Sequence, residues 1–179
     1  STDRRETFGI KNRKGGKVNF FPETYSIVRN AYSNVRVLTD KLTPLYRNVD
    51  NIEVYSPSTN LEVHAYAKQM YAHAVSMNKG MAVLIFEDDI DIVPDFKTIL
   101  ESVHDILHRK NIDKYIIECY NHKSRNKEHI EENLHEVQYE YGTQCMYYSK
   151  GAVEDIITAL NQSKQNYDHA IASAGVPVY

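Results

Sequence analysis

Glu87, Asp88 and Asp89 follow directly on five apolar residues, Ala82 to Phe86, and two further carboxylates stand at Asp91 and Asp95. Neighbouring carboxylates raise one another's pKa and repel, so such a group persists only where something offsets its charge. A divalent cation does this: Mg2+ and Mn2+ take oxygen ligands, often only one or two carboxylates, and fill their shells with water and phosphate oxygens. In an extended chain alternate residues share a side. Glu87 and Asp89 are then one pair, one for a ligand and one for the metal, and Asp89 and Asp91 are a second pair of the same spacing. The same run also suits a helix cap at Asp95, a solvated acidic turn or a structural Ca2+ loop.

These acids act only if the fold holds them at one place. The apolar run before them predicts a strand buried on both sides, as in the middle of a parallel sheet. After them, Phe96, Ile99, Leu100, Val103 and Leu107 predict a helix over 95–109. Upstream, a helix over 59–79 is framed by Thr59 and Glu62 as a capping box and by Gly80 as terminator, with Val63, Tyr66, Met70, Ala74 and Met77 on its apolar face. His64 and His73 read as ordinary residues of that helix. A helix is also predicted over 22–31, with short strands in "NVRVLTD" and "NIEVYSP".

Downstream, "KYIIECY" predicts a strand, and "NHKSRNKEHIEENLH" reads as a long polar surface loop or mobile flap with at most one weak helix. The stretch "EVQYEYGTQCMYYSKGAVEDIITAL" predicts two strands around Gly142, then a helix over 150–160. Asp168 and His169 stand ahead of a short helix and a strand-like "VPVY". Alternating strands and helices predict an α/β layered domain around a mainly parallel sheet. In such sheets ligands bind beyond the carboxyl ends of the strands, which is where the acidic run falls.

The chain of 179 residues suits one domain, 1–179, and one site. A net charge of −3 with interspersed signs makes nucleic acid a poor main partner. The basic stretch Lys11 to Lys17, "KNRKGGK", reads as a solvated loop, with phosphate binding as the alternative. Cys119 and Cys145 lie in strand-like runs and read as buried thiols, with pairing as the alternative. The longest apolar runs are too short to cross a bilayer. The polar opening "STDRRETF", with no strand ahead of it, and an end soon after "VPVY" give the expectation of a chain trimmed at both ends, with loss of an N-terminal anchor as one way the first could arise. The compartment stays open between the cytoplasm and, where an anchor was removed, the lumen of the Golgi or ER.

The segment "VLIFEDDIDIVPDF" between two helices resembles the EDD version of the Asp-x-Asp motif of GT-A fold glycosyltransferases. It is most similar to the lipopolysaccharide-type family 25 enzymes and to the N-acetylglucosaminyltransferase IV and GPI-glycan GalNAc-transferase group. "GTQCMYYSKGAVEDII" and "YDHAI" followed by "VPVY" match in the same order, so the resemblance covers the chain from about Val63, while the first forty residues match only loosely through "STDRRETF".

The resemblance implies a GT-A-like three-layer sandwich with a mainly parallel central sheet flanked by helices. It also implies metal-dependent transfer of a sugar from a nucleoside-diphosphate donor to a hydroxyl of a glycan or glycoconjugate acceptor, with Mn2+ or Mg2+ as cofactor. Asp89 would carry the metal, with Asp91 and His169 as further candidates; His169 could instead contact the diphosphate. Glu87 would touch the ribose or a metal-bound water, and Asp88 would support it from behind. Asp168 is the candidate base, with a helix cap as its alternative. Arg4 and Arg5 are candidate diphosphate contacts. Gly142 and Thr143 would lie on the acceptor side, and Tyr139, Tyr141, Tyr147 and Tyr148 would either stack on a sugar or pack a strand. The competing readings are an inactive carbohydrate-binding or scaffold domain and a metal-dependent phosphohydrolase.

Overall fold

Three consecutive buried residues, Val83, Leu84 and Ile85, mark a strand covered on both faces. A computed structural model describes residues 11–12, 35–39, 52–54, 68, 71–72, 74–76, 80–87, 90–91, 95–119, 126–132 and 134–179. Of these, 11–12, 35–39, 52–54, 86–87 and 90–91 are described by their backbone. The strands are β1 (Lys11–Asn12), β2 (Val35–Thr39), β3 (Ile52–Val54), β4 (Val83–Glu87), β5 (Ile90–Asp91), β6 (Ile116–Glu118), β7 (Lys127–Glu131), β8 (Leu134–Val137) and β9 (Cys145–Tyr148). The helices are α1 (Phe96–Arg109), α2 (Lys150–Gln162) and α3 (Tyr167–Ala172), preceded by helical residues at 68, 71–72 and 74–76.

The central sheet runs β3-β2-β4-β9-β6. Strand β2 is parallel to β3 and to β4, whereas β9 is antiparallel to both β4 and β6. Two small antiparallel pairs, β1 with β5 and β7 with β8, complete the described strands. The expectation of a GT-A-like sandwich on a mainly parallel sheet is therefore corrected: two described pairings are parallel and four antiparallel. The apolar runs misled because double-sided burial reports helices on both faces and says nothing about strand direction. All four residues of β9 are buried although it opposes both of its neighbours.

One face of the sheet carries Val83, Ile85, Ile116, Met146 and Tyr148, packed against Tyr71, Ala74 and Val75 of the preceding helical segment, Val153 and Ile156 of α2, and Ile171 of α3. The buried positions 71, 74 and 75 keep helical spacing, so Tyr71 joins Ala74 on the apolar face; Val63, Tyr66, Met70 and Met77 lie outside the described residues. On the other face, α1 buries Phe96, Leu100, Val103, Ile106 and Leu107. The His104 ring of α1 meets Tyr147 of β9 at a centroid distance of 4.5 Å.

The stretch read as a polar loop contains a hairpin instead, with β7 and β8 joined at Glu132, whose φ is +49°. Its charged residues hid the strands, because β7 is half-buried to exposed along its length and β8 alone is mostly buried. Residue Val178 bridges β6 and β8, tying the hairpin to the main sheet. Among the described residues no helix is long and apolar enough to cross a membrane.

Candidate functional site

Strands β2, β3 and β4 run in one direction, and β6 shares it, because both β4 and β6 oppose β9. Their carboxyl ends, Thr39, Val54, Glu87 and Glu118, thus lie at a single edge of the sheet. The reversed strand β9 starts at that edge, since Cys145 pairs with Phe86 and its carbonyl accepts the Cys119 N–H at 3.0 Å. Gly142 and Thr143, three and two residues before β9, are therefore delivered beside the end of β4.

Gly142 has φ +94°, a left-handed conformation that a side chain disfavours, and its carbonyl accepts the Tyr139 hydroxyl at 2.8 Å. Thr143 is 2 % exposed. The approach to β9 is thus a fixed turn rather than a loose loop. Of the four tyrosines proposed as stacking faces, Tyr139, Tyr147 and Tyr148 are buried packing residues, and Tyr141, 41 % exposed, is the one left at the surface.

Beyond Glu87 the backbone forms β5, which pairs antiparallel with β1, setting Lys11 opposite Asp91 and Asn12 opposite Ile90. The basic stretch "KNRKGGK" starts at Lys11. A basic segment thus begins beside the acidic one, an arrangement that sequence separation concealed.

Glu87 is the last residue of β4 and Asp91 the last of β5. Asp88, Asp89, Arg4 and Arg5 lie outside the described residues, as do His64 and His73 and the predicted helix over 22–31. Asp95 occupies the N-cap position of α1 without a side-chain capping bond.

Asp168 and His169 lie within α3 rather than ahead of it. Asn166 is the N-cap, and the Asp168 carboxylate accepts the backbone N–H of His169 at 2.9 Å, satisfying one of the free donors of the first turn. Asp168 is half-buried and His169 exposed. The preceding residue, Tyr167, stacks on Tyr71 at 4.9 Å, which fixes α3 against the face that carries Met146 and Tyr148.

One acid at this edge escaped the sequence reading. Glu118 ends β6 as Glu87 ends β4, is 2 % exposed, and pairs in register with Met146. Alternation from buried Ile116 puts it on the same face as α3. Its charge is felt by the Tyr148 hydroxyl, whose pKa is raised mainly by burial. The signal was present: "VLIFE" and "YIIE" are both apolar runs closed by glutamate.

In the sequence, the residues that close and follow β4 are carboxylates, a residue type that fits a hard divalent cation and not a thiophilic one. Among the described residues no group of three or more His, Cys, Asp or Glu side chains is arranged to hold a metal ion. Cys119 and Cys145 are buried free thiols.

No protein-family model matches the chain. No curated protein and no solved structure matches it either.

Proposed function

We propose that this chain is a metal-dependent glycosyltransferase that moves a sugar from a nucleoside-diphosphate donor to a hydroxyl of a glycan or glycoconjugate. One observation supports this above the others: the acidic end of β4, the start of the basic stretch at β1, and the Gly142–Thr143 turn meet at one sheet edge. A nucleotide sugar needs those three chemistries together. Its diphosphate takes cations, its metal takes carboxylates, and an acceptor sugar needs a place where backbone can come close.

In this reading Asp89, with Asp91 and His169 as further ligands, would hold Mn2+ or Mg2+, and Glu87 and Asp88 would orient the ribose and metal-bound water. The cation supplies Lewis-acid neutralisation of the leaving diphosphate. Arg4 and Arg5 bind the diphosphate oxygens through forked hydrogen bonds. Asp168 takes the proton of the acceptor hydroxyl as its oxygen bonds to the anomeric carbon, and the electrons of the breaking carbon–oxygen bond leave with the diphosphate. Gly142 and Thr143 line the acceptor side.

Thermal unfolding of the purified chain tests this. Mn2+ with UDP is expected to raise the melting temperature, by mass action on the folded state, more than either alone. Asp89→Ala is expected to abolish the joint effect without lowering the unliganded midpoint, since it relieves repulsion among the adjacent carboxylates. No shift with any pairing of a divalent metal and a nucleoside diphosphate would overturn the proposal.

A further inference from the structure

The β7–β8 hairpin sets His129 directly opposite His135. The two imidazole centroids are 5.2 Å apart and the rings meet at 68°. The Nε2–H of His129 donates to the Glu132 carbonyl at 2.7 Å. Since a carbonyl only accepts, that bond fixes the proton on Nε2 and leaves the Nδ1 lone pair of the neutral ring to bind something else. His129 is exposed and is the adjustable arm, whereas His135, 3 % exposed, is the fixed one. The hairpin carries Glu128, Glu131, Glu132 and Glu136 against Lys127, and Glu131 is held by Arg109 at 2.9 Å and Lys110 at 3.8 Å from α1, which leaves a small net negative charge around the pair.

We propose that the His129–His135 pair is a two-imidazole clamp for a borderline divalent transition metal such as Zn2+, Cu2+ or Ni2+, separate from the oxygen-rich end of β4. Two imidazoles at metal–nitrogen distances of about 2.0–2.1 Å and a tetrahedral angle have centroids about 5 Å apart, the separation the hairpin already provides. Imidazole nitrogen selects these metals over Mn2+ and Mg2+, and two protein ligands leave positions for water or an outside ligand. A bound ion would cross-link β7 to β8 at the point where the register shifts between His129 and Glu131.

Calorimetric titration of Zn2+ into the intact chain without nucleotide is expected to give one bound ion. His129→Gln, at an exposed position, is expected to keep the circular dichroism spectrum and to weaken that binding at least about tenfold, whereas Glu101→Gln, an exposed carboxylate of α1, binds Zn2+ as the parent chain does. With Cu2+, electron paramagnetic resonance should show two nitrogen ligands. Absence of Zn2+ uptake, affinity that survives His129→Gln, affinity lost equally on Glu101→Gln, or a copper spectrum with fewer than two nitrogens would each overturn the proposal.

Discussion

The hydroxyls of Tyr71 and Tyr148 hydrogen-bond to each other inside the core, with Tyr167 stacked on Tyr71 and Tyr148 edge-on to it. Both phenols are held well above their ordinary pKa, chiefly by burial, so the pair stays neutral. Removing one hydroxyl strands the other away from water. Tyr71→Phe or Tyr148→Phe alone is expected to cost about 1–3 kcal/mol in denaturant titrations. The double substitution should cost less than the sum, and simple additivity in that cycle would show that the hydroxyls do not depend on each other. Sequence alone named Tyr148 and left its role open between sugar stacking and packing. Burial decides for packing, and burial is a property of the partners, which a tyrosine's neighbours in sequence do not reveal.

Helix α1 was foreseen almost to the residue, because its apolar spacing and its function as a lid on the sheet coincide. Its one unforeseen feature is His104, which turns inward with Nδ1 hydrogen-bonded to the Tyr115 hydroxyl at 2.8 Å. Burial, with His108 adding to it, pulls this imidazole from its usual 6.5 down to about 4, against a smaller opposing pull from Asp105. A depressed folded pKa means that the contribution is complete above pH 6.5 and is lost as pH falls towards 4. The loss is on the order of 3 kcal/mol in all. Urea midpoints measured from pH 7.5 down to 4 should fall more steeply for the parent chain than for His104→Gln; parallel curves would refute the assignment. Strand positions were equally readable for β2, β3, β4, β6 and β9. Strand direction was not, since an apolar run looks the same whichever way it threads the sheet, and the β7–β8 hairpin was hidden by its charges.

Across the molecule, the sheet and the hairpin are joined by the last residues. Ile116 and Glu118 donate their N–H groups to the carbonyls of Pro177 and Tyr179, Tyr179 donates to Ile116, and Val137 donates to Val178, at 2.7–2.9 Å. Deleting residues 176–179 is expected to strip hydrogen-exchange protection from the amides of Ile116, Glu118 and Val137 and to loosen the hairpin, while Leu84 and Tyr147 stay protected. Uniform loss of protection would instead mean that the tail holds the whole sheet. The convergence at the carboxyl edge was half visible beforehand: the acids and the Gly142 turn stood out by residue type, but the arrival of Lys11 beside Asp91 and the burial of Glu118 follow from pairing between distant segments.

The insertion of β9 between β4 and β6 also constrains how the chain reaches this form. Both flanking strands leave the ribosome earlier and point the same way, so they must be kept apart until the newcomer slots in. If they zip together first, the product is a shorter sheet that has to come undone before the native one can form. Refolding should therefore be slow for a chain of this size, and sensitive to concentration while that unfilled seam is open.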